Sequence, residues 1–259
     1  MTPGDIAAYI GAAAWLPQIG VWAYGALTTP KLKLVSAGNI EIWFSTAGPG
    51  ANATFAFSAD RRDALIEKMN LRATHQDGDK RDFDWRFLND NQSQSRDAQG
   101  NISSQFRTIP AVALKVSTIS LVEKTVGFHN AQFEEHFNPL FSQMMELYRH
   151  NETKLGSAAA LEHILQSLEF EKTQQAYLES LFWRTGKWDF LFTAKLSGMN
   201  QVHAQRFTVT FKDEHIVFLR RNTEQFVPYV KAACASGLEQ QALSRMLMWS
   251  SAYPSVKSA

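Results

Sequence analysis

A chain of 259 residues with 45% hydrophobic and 20% charged side chains carries enough apolar surface for one large core or two modest ones, which excludes intrinsic disorder as its resting state. Its 26 basic and 25 acidic residues leave a net charge of +1, so a clustered basic field is not expected and no nucleic-acid partner is either. The one cysteine, Cys234, excludes an intramolecular disulfide; beside Ala232, Ala233 and Ala235 it reads as a buried structural thiol and favours cytoplasmic exposure.

From Ile6 to Leu27 no side chain is charged, and as a helix this stretch would measure about 33 Å, enough to cross a bilayer. Tyr9 lies near one end, Trp22 and Tyr24 near the other, as in the aromatic belts of membrane interfaces. Residues 1–30 therefore read as a membrane anchor with Trp15, Pro17, Trp22, Tyr24, Lys31 and Lys33 as its anchoring residues. Pro17 beside Gln18 divides the segment, leaving two forms open: one kinked span, or two short helices lying on the membrane or against the protein. A buried helix of a soluble protein is the competing reading. No Lys or Arg precedes the stretch, so a cleaved signal peptide fits poorly. Lys31 and Lys33 follow it, which predicts a single-pass protein of the inner (cytoplasmic) membrane with its body in the cytoplasm.

After Pro30 the period changes to two. Leu32 to Val35 opens a strand in which Ile40, Ile42 and Phe44 share one face while Glu41 and Trp43 share the other. Thr54 to Ser58 is a second strand, Ala64 to Thr74 fits either strand or short helix, and Asp77-Gly78 turns the chain into Phe83, Trp85 and Phe87. These predict a first β-sandwich-like module over 31–104. It closes on Asn89 to Ser104, so polar that a long exposed loop is expected. A second β module over 105–259 starts with strands at 109–116 and 119–128. A helical insert over about 131–182 follows, with Phe133, Phe137, Leu140 and Met144 at helical spacing. Trp188 to Leu196 and Arg206 to Phe211 alternate cleanly and predict a core hairpin. Asp213 can cap a further helix that Pro228 would interrupt, although Val217 and Phe218 leave room for a short strand first, and Leu238 to Trp249 is helical.

The search for chemistry returns little. The histidines at 75, 129, 136, 150, 163, 203 and 215 are scattered; Glu146 and His150 share a helix face as many solvated pairs do, and His129 and His136 flank Glu134 and Glu135 without a His-Glu-x-x-His. Asp77, Asp79, Asp82 and Asp84 lack the glycine and glutamate offsets of a calcium loop. Gly48-Pro49-Gly50 belongs to no phosphate-binding pattern, and no Gly-x-Ser-x-Gly elbow occurs. No catalytic residue, metal ligand or cofactor is assigned from these patterns. Trp43, Trp85 and Trp188, lying inside strands, read as core.

Three segments, Gly38-Asn-Ile-Glu-Ile-Trp-Phe-Ser-Thr-Ala-Gly-Pro, then His75-Gln-Asp-Gly with Phe83-Asp-Trp, then Ala111-Val-Ala-Leu-Lys-Val, together resemble a loose set of uncharacterised bacterial proteins that place a hydrophobic N-terminus before immunoglobulin-like sheet modules. The resemblance implies fold and anchoring and supplies no site residues. The expectation is thus an α+β chain: an N-terminal membrane helix, kinked or straight, two β-sandwich-like modules with a helical insert, and C-terminal helices. Its expected role is membrane-tethered, non-enzymatic binding or sensing, with the membrane and a protein partner or second copy as partners. An enzyme whose site assembles from distant residues, or a subunit of a larger membrane-associated assembly, is the alternative.

Overall fold

Alternation of side chains sets the fold. In the computed structural model, which describes residues 13–24, 28–96, 102–199 and 202–258, strand β2 (Gly48–Asp60) turns Ala51, Ala53, Phe55, Phe57 and Ala59 inward and Gly50, Asn52, Thr54 and Ala56 outward. The same parity puts Ile40, Ile42 and Phe44 of β1 (Lys31–Ser45) inside and Glu41 and Trp43 outside. Nine further segments obey it as strands or flank it as short pairs: β3 (Ala64–His75), β4 (Lys80–Arg96), β5 (Ile102–Pro110), β6 (Leu114–Val116), β7 (Val122–His129), β8 (Gly186–Leu196), β9 (Val202–Phe211), β10 (Ser251–Ala252) and β11 (Val256–Ser258) complete an 11-stranded antiparallel sheet.

Its order is β10-β1-β2-β7-β4-β3-β8-β9-β11, with β5 beside β4 and β6 beside β3. The two ends meet because β10 and β11 are successive pieces of one C-terminal strap: β10 pairs with β1, β11 pairs with β9, and an Asn39–Ser255 bridge lies between them. The sheet curls around a core of aromatic rings in which Phe55 and Phe192 lie 4.8 Å apart and Phe190 stacks on Phe207 at 5.4 Å.

Helices cover part of this curl. They are α1 (residues 13–24), α2 (Ala131–Leu155), α3 (Ser157–Leu165), α4 (Leu168–Glu179), α5 (Asp213–Arg221), α6 (Phe226–Cys234) and α7 (Gly237–Met246). Asn130 caps α2 by accepting the Phe133 amide at 2.8 Å, and α2 buries Phe133, Phe137, Met144, Met145 and Tyr148 at spacings of three, four and seven. Pro228 does not break a helix: a 3-10 turn at Asn222–Gln225 separates α5 from α6, and the proline falls in the first turn of α6, where its missing N–H is not needed. Phe44 of the sheet stacks on Tyr177 of α4 at 4.7 Å, and Tyr177 on Phe226 of α6 at 4.9 Å, joining the layers.

Three expectations are corrected. Two separate sandwich modules do not form: β7 inserts between β2 and β4, and β8 lies against β3, so strands from both stretches of sequence make one curled sheet in an α+β protein. Alternation gives each strand its face but says nothing of its distant neighbour. The membrane helix is overturned as well. Residues 13–24 form one helix through Pro17, about 18 Å long at 1.5 Å per residue, and among the described residues no helix is long and apolar enough to cross a membrane. With it falls the placement as a single-pass inner-membrane protein; Ile6 to Ala12 and Gly25 to Leu27 of the expected anchor lie outside the described residues. Trp15, Trp22 and Tyr24 are exposed on this helix, while Lys31 and Lys33 belong to β1, where Lys33 pairs with Asp60 at 2.8 Å. Finally, much of the expected polar loop is ladder: Asn89 to Arg96 pairs with Ile102 to Thr108, because backbone hydrogen bonds of a hairpin need no apolar side chain; residues 97–101 lie outside the described set.

Two outcomes test this packing. Phe192→Ala removes a fully buried ring and is expected to lower the unfolding free energy by about 3–5 kcal/mol, against well under half of that for Thr193→Ala on the other face, read by urea denaturation. Asn222→Ala is expected to cost on the order of 3 kcal/mol, because Nδ2 of Asn222 donates to Phe44 O and Ser250 O, both at 2.7 Å, and Oδ1 accepts from Ser250 N at 2.8 Å.

Candidate functional site

Four neighbouring strands of the curl, β1, β2, β7 and β4, present a polar grid to solvent. Register places Trp43, Gly50 and His129 in one row across β1, β2 and β7, and Glu41, Asn52, Gly127 and Phe87 in the next, which extends to β4. Thr54, Thr125 and Asn89 form a third, with Asn39 from the β1 bulge on one side and Thr108 of β5 on the other. Between these side chains and Tyr253 of the strap lies a depression of about 350 Å³, lined by Asn39, Glu41, Asn52, Thr54, Asn89, Thr125 and Tyr253. That is the low end of the roughly 300–1,000 Å³ of small-molecule sites.

The polar groups have defined roles. Glu41 is the one ionisable carboxylate of the lining, and both of its oxygens are engaged: Oε2 accepts from Nδ2 of Asn52 and Oε1 from the Tyr253 hydroxyl, each at 2.8 Å. Burial, then Glu41, pushes the Tyr253 hydroxyl above its ordinary pKa, so it remains the donor. A carboxylate only accepts, which fixes the Asn52 amide with nitrogen toward Glu41 and leaves Oδ1 buried with no donor among the described residues. Thr54 and Thr125 share one hydrogen bond at 2.8 Å, so one of their two hydroxyl protons is left over. Oδ1 of Asn89 accepts from Thr108 at 2.8 Å, and its N–H donors meet no acceptor among the described residues.

An aromatic border adjoins the grid because two glycines permit it. A Cβ on Gly50 would stand 2.1 Å from the Trp43 indole, and one on Gly127 would stand 2.2 Å from the Phe87 ring. Each ring therefore lies down on a glycine of the neighbouring strand. Phe87 comes to this outer face through an irregularity in register between Trp85 and Phe87; without it, alternation with Phe83 and Trp85 would send Phe87 inward. His129 stands edge-on to both rings, 4.7 Å from Trp43 and 5.7 Å from Phe87. Burial, and to a lesser degree the nearby Arg86 guanidinium, push its pKa down to about 4, so the imidazole is neutral near pH 7. Arg86 itself pairs with Glu134, whose Oε1 lies 3.8 Å from His129 Nδ1.

Elsewhere the polar chemistry is matched. At the β3–β4 turn, Arg184 meets Asp77 at 2.6 Å and Asp79 at 3.3 Å, and Arg81 meets Asp79 at 2.9 Å. Along the strands, Asp82 holds Arg72 at 2.6 Å and Asp84 holds Asn70 at 2.6 Å. Buried His75 closes the turn, its Nδ1 lying 2.8 Å from Asp77 Oδ1 and 3.1 Å from Arg184 Nε while its Nε2 faces Thr185 O at 3.2 Å. A hollow of about 380 Å³ between α2–α3 and α6–α7 is slightly larger than the sheet-face depression. Cys234 at its base is buried, its thiol pushed up to about 11 chiefly by burial, and the Tyr148 hydroxyl there already donates to Cys234 O at 2.7 Å. Burial thus disfavours the thiolate. Among the described residues no group of three or more His, Cys, Asp or Glu is arranged to hold a metal ion.

Sequence reasoning found the alternation that exposes Glu41 and Trp43 but read Trp43 as core; it is Trp85 and Trp188 that are buried. It found no metal-binding pattern around His129, and it did not single out Asn52, Thr54, Asn89, Thr125 or Tyr253. Asn, Thr and Tyr on the outer face of a strand are too ordinary a signal to flag a site. None of the expected anchoring residues lines the depression.

No protein-family model matches the sequence, and no curated protein matches it. Among solved structures, Spo0M, a sporulation control protein from Bacillus subtilis, is similar at a TM-score of 0.24 and 5% identity, over 70% of this chain and 49% of that one. The chain spans about half the length of that structure, and a likeness of this size carries no argument.

His129 generates a pH test. Folded, it stays neutral down to about pH 4; unfolded, it takes up its proton near pH 6.5. Between those values the unfolded chain binds more protons, so stability falls as pH drops through this window and is regained above it. Half-buried His203 and His215 are shifted in the same direction and add to the parent's slope. Urea midpoints of the parent and His129→Gln, measured at about pH 4.5 and about pH 7, are expected to show a smaller acid loss in the variant.

Proposed function

We propose that this protein is a binding protein that takes a small, neutral, hydrogen-bonding ligand on the outer face of its sheet. The observation that carries this reading is the convergence of Asn39, Asn52, Thr54, Asn89, Thr125 and Tyr253 on one depression whose single carboxylate is already held by two donors. Groups of that kind recognise by complementary hydrogen bonds and are poorly suited to moving protons. An engaged Glu41 also has less capacity to act as general base, which weighs against the alternative of an enzyme at this site. The unmatched Asn52 Oδ1 supports it further, since an acceptor shielded from water without a donor costs about 1–3 kcal/mol, and a ligand donor met by a small turn of the amide offsets that cost.

The test is a binding screen on the full chain by isothermal titration, using neutral sugars, linear polyols and small amides beside acetate and ammonium salts. At least one neutral compound is expected to bind saturably. Asn52→Leu, similar in size but without the amide, is expected to weaken that binding about tenfold while the far-ultraviolet circular dichroism stays that of the parent. Binding confined to the charged compounds, binding indifferent to Asn52→Leu, or no binding at all would overturn the reading.

A further inference from the structure

The depression and its lining also specify a class of ligand. Its donors and acceptors alternate at short range: Asn89 offers N–H donors, the Thr54–Thr125 pair one hydroxyl proton and spare lone pairs, and the Tyr253 oxygen, having given its proton to Glu41, is left as an acceptor. Asn39 supplies both kinds from the other side. A neutral group that satisfies a donor and an acceptor at once is a hydroxyl, and several are needed together. The side chains that would meet them stand on adjacent strands, which are about 4.8 Å apart, a spacing that the substituents around a six-membered ring can span.

The wall of the depression adds a second, independent constraint. Tyr253 is exposed along its ring, yet its hydroxyl is pinned to Glu41 at 2.8 Å and its backbone runs in the strap beside β1. It is thus a held aromatic plane facing solvent next to a polar floor. A ligand with one apolar face and a rim of hydroxyls matches both surfaces together. Rigid rings lose less freedom on binding than open chains with the same hydroxyls, so the ring is favoured over a linear polyol. Anions are disfavoured by the Glu41 carboxylate, the one charge in the lining.

We propose that the depression is a binding site for a neutral pyranose sugar, its hydroxyls on the Asn39, Thr54, Thr125 and Asn89 row and one C–H face on the Tyr253 ring. This rests on the sheet-face binding reading given above. Its size, about 350 Å³, suits one ring and its substituents more than a long oligosaccharide.

The experiment titrates the full chain with the methyl pyranosides of glucose, galactose, mannose and N-acetylglucosamine, with sorbitol as the open-chain arm and acetamide as the amide arm. At least one pyranoside is expected to bind about tenfold more tightly than sorbitol. Tyr253→Phe, which keeps the ring but loses the oxygen and its tie to Glu41, is expected to weaken that binding about threefold, whereas Tyr253→Leu, which loses the ring as well, weakens it by at least about tenfold. Because the ring is exposed, neither change removes core packing, and unaltered thermal unfolding of both variants shows that the comparison concerns the site. Sorbitol or acetamide binding as well as every pyranoside, with sensitivity to Asn52→Leu, would overturn the sugar assignment and leave the binding site standing. Pyranoside binding equal in the Leu and Phe variants would overturn the stacking arrangement and with it this proposal. No binding by any arm would overturn both the sugar and the site.

Discussion

One buried side chain holds the layers in place. Asn222, at the junction of α5 and α6, engages both side-chain donors and its side-chain acceptor: two donations to the carbonyls of Phe44 and Ser250, one acceptance from the Ser250 amide, and its own carbonyl taken by the Tyr177 hydroxyl at 3.0 Å. A polar group so deeply buried is tolerated because every partner is present. The consequence reaches well beyond the helices. Ser250 is where the C-terminal strap begins, so Asn222 fixes the starting point from which residues 251–258 run between β1 and β9 and end the curl. The strap in turn sets Tyr253 over Glu41, and without that placement the depression would have no aromatic wall.

The curl divides the chain's aromatic residues by role. Inward rings such as Phe55, Phe128 and Phe192 fill the core, where packing alone specifies them. Outward rings need a reason to stay ordered, and here it is backbone: Trp43 and Phe87 lie on glycines that a side chain would occupy. His129 between them is held by the same arrangement, and its neutrality follows from the burial those rings impose. The register irregularity before Phe87 matters for this reason, since it turns Phe87 and Asn89 outward together while Leu88 takes the buried position.

Much of the local structure was legible in the sequence. Phe190, Phe192, Phe207 and Val209 announce a core hairpin by strict alternation, and β8 and β9 pair where that pattern places them. Phe133, Phe137 and Met144 announce α2 by their spacing. What failed was of two kinds. The polar stretch from Asn89 reads as a loop because hydropathy measures side chains, whereas the β4–β5 ladder is made by the backbone. The uncharged N-terminal stretch reads as a span from its length without charge, but alanine-rich sequence can be uncharged and still insufficiently apolar, and the helix described covers residues 13–24. The candidate site was illegible for a different reason. Glu41, Asn52, Thr125, Asn89 and Tyr253 come from five separate segments, and only the sheet order makes them neighbours.

A comparison between two polar regions shows how a candidate site can be told from scaffold. The acidic run Asp77, Asp79, Asp82 and Asp84 is the more conspicuous in sequence, yet each of its carboxylates has a partner in Arg184, Arg81, Arg72 or Asn70. Asp77 is held ionised below the ordinary carboxylate range, first by the Asp79 amide and then by His75. Such a closed set of partners fastens the β3–β4 turn to the segment before β8 and leaves little capacity for a ligand. The outer depression is inconspicuous in sequence and carries hardly any charge, but its hydrogen-bonding capacity is open at Asn52, at Asn89 and at the threonine pair. Folding alone gives no reason to leave the Asn52 Oδ1 buried without a donor beside a pinned aromatic ring, since that costs free energy that an apolar residue would not. Recognition of a ligand that supplies that donor does.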